Sequence, residues 1–190
     1  MRFMVMHKHD KSTEAGARPS GEFIAKMGAL IGDSIKDGTF KDGAGLGKSA
    51  QRTRVTFQHG ERTVLDGPYA GSNELVDAYF QLTVKSRAEA VEFATKLGRI
   101  VGDVEIEVGK TTEAWDLGLA PEPPNAPLHF LVLQKATRDS EAGKKPNAST
   151  KSALDALKKE ATAAGMLTSS GALTPKLCGQ SPAVSPPASG

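Results

Sequence analysis

Met1-Arg2-Phe3-Met4-Val5-Met6-His7-Lys8 and Leu128-His129-Phe130-Leu131-Val132-Leu133-Gln134-Lys135 carry one apolar pattern twice, 127 residues apart. In that register Phe3, Val5 and Lys8 fall on Phe130, Val132 and Lys135, and the match runs on without a gap. Glu14-Ala15-Gly16 falls on Glu141-Ala142-Gly143, Pro19 on Pro146, Ala29-Leu30 on Ala156-Leu157, Gly38 on Gly165 and Leu46 on Leu173. Past that point the likeness ends. The chain therefore reads as one whole unit, residues 1–111, followed by the opening half of another over 128–178. Four prolines between 112 and 127 (Pro121, Pro123, Pro124, Pro127) make a stiff linker. Residues 179–190, rich in Pro, Ser and Gly, read as a disordered tail.

The Met/Val-rich run Arg2–Lys8 suits a strand covered on both faces. Residues 10–19 read as a polar loop. Ser20 then caps a helix whose Phe23, Ile24, Met27, Leu30, Ile31 and Ile35 share one face, with Gly38 fitted to the position just past its end. Asp42–Gly47 is a glycine-dense loop. Arg54–Gln58 and Arg62–Leu65 alternate around His59-Gly60, the signature of a hairpin. Ala78–Val84 alternates with Phe80, Leu82 and Val84 inward. Ser86…Glu89 is a capping box that opens a helix to about Leu97. Val104, Ile106 and Val108, alternating with Glu105 and Glu107, predict a half-exposed strand. The repeat adds a strand at 128–135 and a helix from about Ser149 to Ala164.

The order strand, helix, hairpin, strand, helix, strand predicts an α+β, ferredoxin-like sandwich (dimeric α/β-barrel type) with an antiparallel sheet and a partial repeat of the same unit. Its helix-free sheet face is expected to need a cover, from a second subunit or from the half-copy. That is, the chain is a homodimer or an intrachain pseudo-dimer. Nine of the ten aromatics precede residue 127 and only Phe130 follows, so the half-copy buries too little to stand alone.

Charge excludes some functions. Net charge is +2, with 16 Lys+Arg against 18 Asp+Glu through residue 127 and 8 against 4 beyond it. No clustered basic face with stacking aromatics is visible, which argues against nucleic-acid binding. One cysteine, Cys178, precludes an intrachain disulfide and a cysteine zinc cage. No run is long and apolar enough for a membrane, and the chain opens into a strand pattern rather than a signal peptide. The expected compartment is the cytoplasm. Gly43…Gly47-Lys48-Ser49 has the glycines of a phosphate cradle without its spacing or its helix, so no nucleotide cofactor is expected.

Lys8, Glu14-Ala15-Gly16…Pro19, Gly45-Leu46 and above all Asp66-Gly67-Pro68-Tyr69-Ala70 together resemble the DGPF-type members of the YCII-related family. The likeness covers residues 1–116 and resumes over 128–173. It implies a ferredoxin-like domain that dimerises through its sheet, with a small-molecule cleft and, in some members, a link to sigma-factor transcription. The ligand contacts it implies are Lys8, Asp66, Gly67, Pro68, Tyr69 and Glu74. Where the family continues Ala-Glu-Thr-Lys-Glu, this chain has Ala70-Gly71-Ser72-Asn73-Glu74, and Gly43-Ala44-Gly45-Leu46-Gly47-Lys48 stands where the family has Gly-Glu-Gly-Leu followed by His-Pro. Loss of those polar groups points to a small-molecule or partner-binding module with little catalysis.

The alternative is an acid–base enzyme with Asp66 as base and His7 or Lys8 assisting. Asp66-Gly67-Pro68 equally suits a turn. His7 and His9 share a strand face without a third metal ligand, so no metal is expected.

Overall fold

The computed structural model describes residues 3–68 and 75–174. Its elements in chain order are α1 (Lys11–Glu14), α2 (Gly21–Lys36), β1 (Gly45–Leu46), β2 (Arg52–Gln58), β3 (Glu61–Asp66), β4 (Val76–Val84), α3 (Arg87–Val101), β5 (Val104–Thr112), β6 (Leu128–Lys135), α4 (Arg138–Glu141), α5 (Ala148–Ala163) and β7 (Leu167–Ala172). The fold is α+β. Seven strands form one sheet in the order β3-β2-β5-β6-β4-β7, every pairing antiparallel, with β1 lying against the end of β5.

Two β-α-β units interleave. The strands β4 and β5, joined through α3, flank β6; the strands β6 and β7, joined through α5, flank β4. The expected boundary at 112–127 thus runs through one sheet, because β6 is inserted between two strands of the first segment. It does not lie over a sheet face as a cover.

Helix α3 supplies the packing that fixes this layer. Its Ala90, Phe93, Ala94 and Leu97 are buried against Val55, Phe80, Leu82, Ile106 and Val132 of four strands. Phe80 meets Phe93 edge to face, centroids 5.4 Å apart. Leu157 and Ala161 of α5 close the same core. Ser86 accepts the Glu89 N–H at 3.2 Å, but Glu89 reaches back to the Lys85 N–H rather than that of Ser86. The helix passes the expected Leu97 and stops before Gly102, at φ 91°. His59 and Gly60, both at positive φ, turn the β2–β3 hairpin, and Asp103 accepts the His59 N–H at 2.7 Å.

The opposite sheet face, expected to need a cover from a second subunit or the half-copy, carries charged and polar side chains instead. Arg52, Arg54, Thr56, Glu105, Glu107, Thr111 and Lys135 point to it, and part of it lies under Leu46, which touches Gly109. Glu107 is 6% exposed and Lys135 5%, so this strand is buried on both sides rather than half-exposed.

The N-terminal segment departs most from expectation. Residues 3–10 form no strand, and Phe3 and Val5 are exposed. Asp10 caps the short α1 inside the expected loop, accepting the Thr13 N–H at 2.7 Å. Helix α2 forms with its Ser20 cap and with Gly38 at φ 77°, yet none of its residues is buried. Its bounds, and those of α1, recur in α5 and α4 at an offset of 127. Gly165, the counterpart of Gly38, has φ 69°.

Candidate functional site

Asp66 ends β3 opposite Thr53. The buried Thr53 hydroxyl donates to Asp66 Oδ1 at 2.7 Å. Arg87, the first residue of α3, donates from Nε to Thr53 Oγ1 at 2.8 Å and from Nη2 to Asp66 Oδ1 at 3.1 Å. These three side chains clip the hairpin to the helix. Gly67 donates its N–H to the Arg52 carbonyl, and a Cβ there would overlap the Ser49 carbonyl, so the position requires glycine by close approach. Pro68 follows it, exposed. Tyr69 and Glu74 lie outside the described residues. The hydrogen bonds of Asp66 thus go to scaffold groups, the arrangement of a joint rather than of a free base.

His7 and Lys8 sit on the exposed stretch before α1. It is His9 that meets a carboxylate: its Nδ1 lies 2.9 Å from Glu14 Oε1, while Glu14 Oε2 accepts the Ser49 N–H at 3.0 Å and hydroxyl at 2.7 Å. Burial pushes the Glu14 carboxyl up, but the Ser49 and His9 hydrogen bonds outweigh it and hold it below the usual range. Glu14-Ala15-Gly16 therefore anchors the N-terminal segment to the loop that precedes β2.

On the helix-free face, three neighbouring strands are tied by charge. Glu107 of β5 accepts Arg52 Nη1 of β2 at 2.9 Å on one oxygen and meets Lys135 Nζ of β6 at 2.9 Å on the other. Arg52 Nε also donates to the Gly47 carbonyl at 2.7 Å. Beside them Arg54 Nε approaches Glu105 at 3.5 Å. Burial opposes ionisation of Glu107. The Arg52 hydrogen bond and the Lys135 charge override it, and the carboxyl falls to about 2. A carboxylate locked between two cations neither gives nor takes a proton near neutrality. It holds strands in register.

One cleft among the described residues lies at the C-terminal end of β5. Its cavity of ≈ 230 Å³ is lined by Gln81 and Thr83 of β4, Thr111 and Glu113, His129 at the start of β6, and Thr168 of β7. Residues 113–127 carry the chain from the end of β5 to the start of β6, which sets Glu113 beside His129. His129 Nδ1 lies 2.9 Å from Glu113 Oε1, and the Thr111 hydroxyl donates to the same oxygen at 2.9 Å. Asp116 accepts the Glu113 N–H at 3.0 Å and fixes the turn. A carboxylate only accepts, so Nδ1 carries the ring proton in the neutral imidazole and Nε2 keeps the lone pair. That lone pair can take a proton from a hydroxyl or an amine, and the amide and hydroxyls around it can orient a small polar ligand.

Sequence reasoning passed over both residues. Glu113 opens the segment read as linker, and His129 sits where the first copy has Arg2. The signal was a histidine at the entry of a strand otherwise wholly apolar to Leu133. Among the described residues, no group of three or more His, Cys, Asp or Glu side chains is placed to hold a metal ion, and no helix is long and apolar enough to cross a membrane. No family model, no curated protein and no solved structure matches this chain.

Proposed function

We propose that this chain is a small-molecule-binding module of the YCII-related, DGPF type, with little or no catalytic activity, working in the cytoplasm. Its architecture is read as a ferredoxin-like unit assembled from residues 76–172, in which the partial second copy supplies β6, α5 and β7. The order β5-β6-β4-β7 and the two interleaved β-α-β units support that reading. The helix bounds that recur at an offset of 127 support the copy.

One observation carries the binding role: the cleft in which Glu113 and Thr111 orient His129 among the hydroxyls and amide of β4 and β7. The Asp66-Gly67-Pro68 turn is assigned to the scaffold, because Thr53 and Arg87 occupy Asp66. The same histidine–glutamate pair favours a second reading, acid–base catalysis on a small organic substrate with His129 as base in place of Asp66.

The test is a titration of the isotope-labelled protein with a panel of small hydroxy acids, amides and amino acids. Binding should move the amide signals of Gln81, Thr83 and His129, and His129→Gln should weaken it by about tenfold. Asp66→Asn should leave it unchanged. Signals that move only around Asp66 would overturn the site. Turnover that His129→Gln abolishes would select the enzyme.

A further inference from the structure

Of the large apolar side chains exposed among the described residues, seven of eleven lie between Phe3 and Ile35. Exposed apolar groups at that density mark a surface made to be covered. The slot that fits them is visible in the same molecule, because the segment 127 residues further on occupies it.

The correspondence holds in chemistry as well as in span. Phe3 and Val5 match Phe130 and Val132, both buried in the core, and Leu30 matches the buried Leu157. Lys8 matches Lys135, whose ammonium meets the buried Glu107, so a seated N-terminal segment brings its own cation to that carboxylate. At two positions the N-terminal helix suits burial better. Phe23 and Ile31 stand against the half-buried Thr150 and Lys158, the latter lying 5.9 Å over the Phe80 ring. Three positions oppose the exchange: Gly171 packs where a Cβ would come within 2.6 Å of the Tyr79 ring and its counterpart is Ala44, while the buried Ala136 and Ala161 have His9 and Ser34 as counterparts.

The connection to β2 decides whose slot is taken. Residue 45 would land where Ala172 now sits, in line with Ala78, Gln134, Ile106 and Val55. From there the chain would have to cross four strand spacings, about 19 Å, and climb three residues, about 10 Å, to reach Arg52. That is about 22 Å for seven residues whose full extension is about 24 Å. Seated in either copy, the arm gives up the pairing of Leu46 with β5 and the bonds between Glu14 and Ser49. Seated in another molecule, the same seven residues need only bring their own β2 within about 24 Å of that slot, a distance that the strand spacings of one sheet do not fix.

We propose that residues 3–46 are an exchange arm: in a dimer, each chain seats its arm in the β4–β5 slot of a second copy and displaces that copy's residues 128–173, which takes His129 and Thr168 out of the cleft and leaves ligand binding to the monomer. Reciprocal seating closes the pair around a twofold axis.

The experiment uses the full chain with Cys178→Ser. Seated in the partner, Val5 takes the place of Val132 opposite Val108, within the span a disulfide bridges. Mixing a Val5→Cys chain with a mass-tagged Val108→Cys chain under mild oxidation should give a covalent heterodimer of intermediate mass, a product distinct from any homodimer that either chain forms alone. Because Val108 is a core position, sedimentation of the unaltered chain provides the second measurement. The dimer fraction should rise severalfold between about 1 and 100 µM, and Leu30→Asp should abolish the rise. A monomer throughout that range, a dimer indifferent to Leu30→Asp, or a cross-link that forms within one Val5→Cys/Val108→Cys chain would each overturn the proposal.

Discussion

Helices α2 and α5 are both sixteen residues long, start on a side-chain cap and stop before a glycine of positive φ, yet they meet opposite fates. Leu157 of α5 is 6% exposed and seals the core; Leu30, its counterpart in α2, is 62% exposed. The pair teaches that caps and periodicity decide whether a helix forms, while burial is decided by which segment holds the slot. One slot admits one occupant.

The sharpest way to break that comparison is to truncate matched residues. Phe130→Ala should lower the unfolding free energy by about 3–5 kcal/mol and Leu157→Ala by about 2–4 kcal/mol. Phe3→Ala and Leu30→Ala should each change it by less than about 0.5 kcal/mol in the dilute monomer. Equal losses in denaturant titrations would mean that the two segments share the core.

Acid offers the next test. Folding takes the Glu107 carboxyl from 4.5 to about 2, so its stabilisation is complete above pH 4.5 and drains away as pH falls toward 2. The loss is on the order of 3 kcal/mol, read as a falling urea midpoint across that window. Glu107→Gln should flatten the window while lowering stability above it. An unchanged slope would remove Glu107 from the account.

Asp66→Asn tests the clip at the hairpin. With Thr53 and Arg87 as its partners, the cost should be about 1 kcal/mol in a thermal melt, since the Arg87 contact is largely solvated. The smallest effect sharpens the comparison from the other side. Gly38→Ala and Gly165→Ala should each cost about 1 kcal/mol of helix stability, nearly alike, because both strain a positive φ and neither Cβ meets a neighbour. Amide exchange along each helix reads the two separately, and α2 should exchange faster throughout.

Most local elements were legible because their signals are local. Ser20 and Ser86 cap helices, His59-Gly60 turns a hairpin, and Phe80, Leu82 and Val84 alternate into the core. The strand expected at Arg2–Lys8 was not realised, since an equal pattern at 128–135 holds the only place between β4 and β5. A pattern cannot arbitrate between two copies of itself. Glu107 read as solvent-facing, because its partners Arg52 and Lys135 are strand neighbours only after folding. Strand β7, Leu167-Thr168-Ser169-Ser170-Gly171-Ala172, has weak intrinsic strand preference and forms because the edge of β4 templates it. His129 and Glu113 are brought together by the turn between β5 and β6, which composition alone marks only as a linker.

The central position of β6 has a consequence for synthesis on the ribosome. Strands β4 and β5 leave the tunnel first, and Lys135 follows Thr112 by 23 residues, a delay of roughly 1–5 s at ordinary elongation rates. Hairpins and helices form in microseconds. Throughout that delay the nascent polypeptide carries a gap in its sheet, and the segment already outside with a fitting pattern is the one translated first. Neighbouring chains on one messenger would then meet with that gap still open.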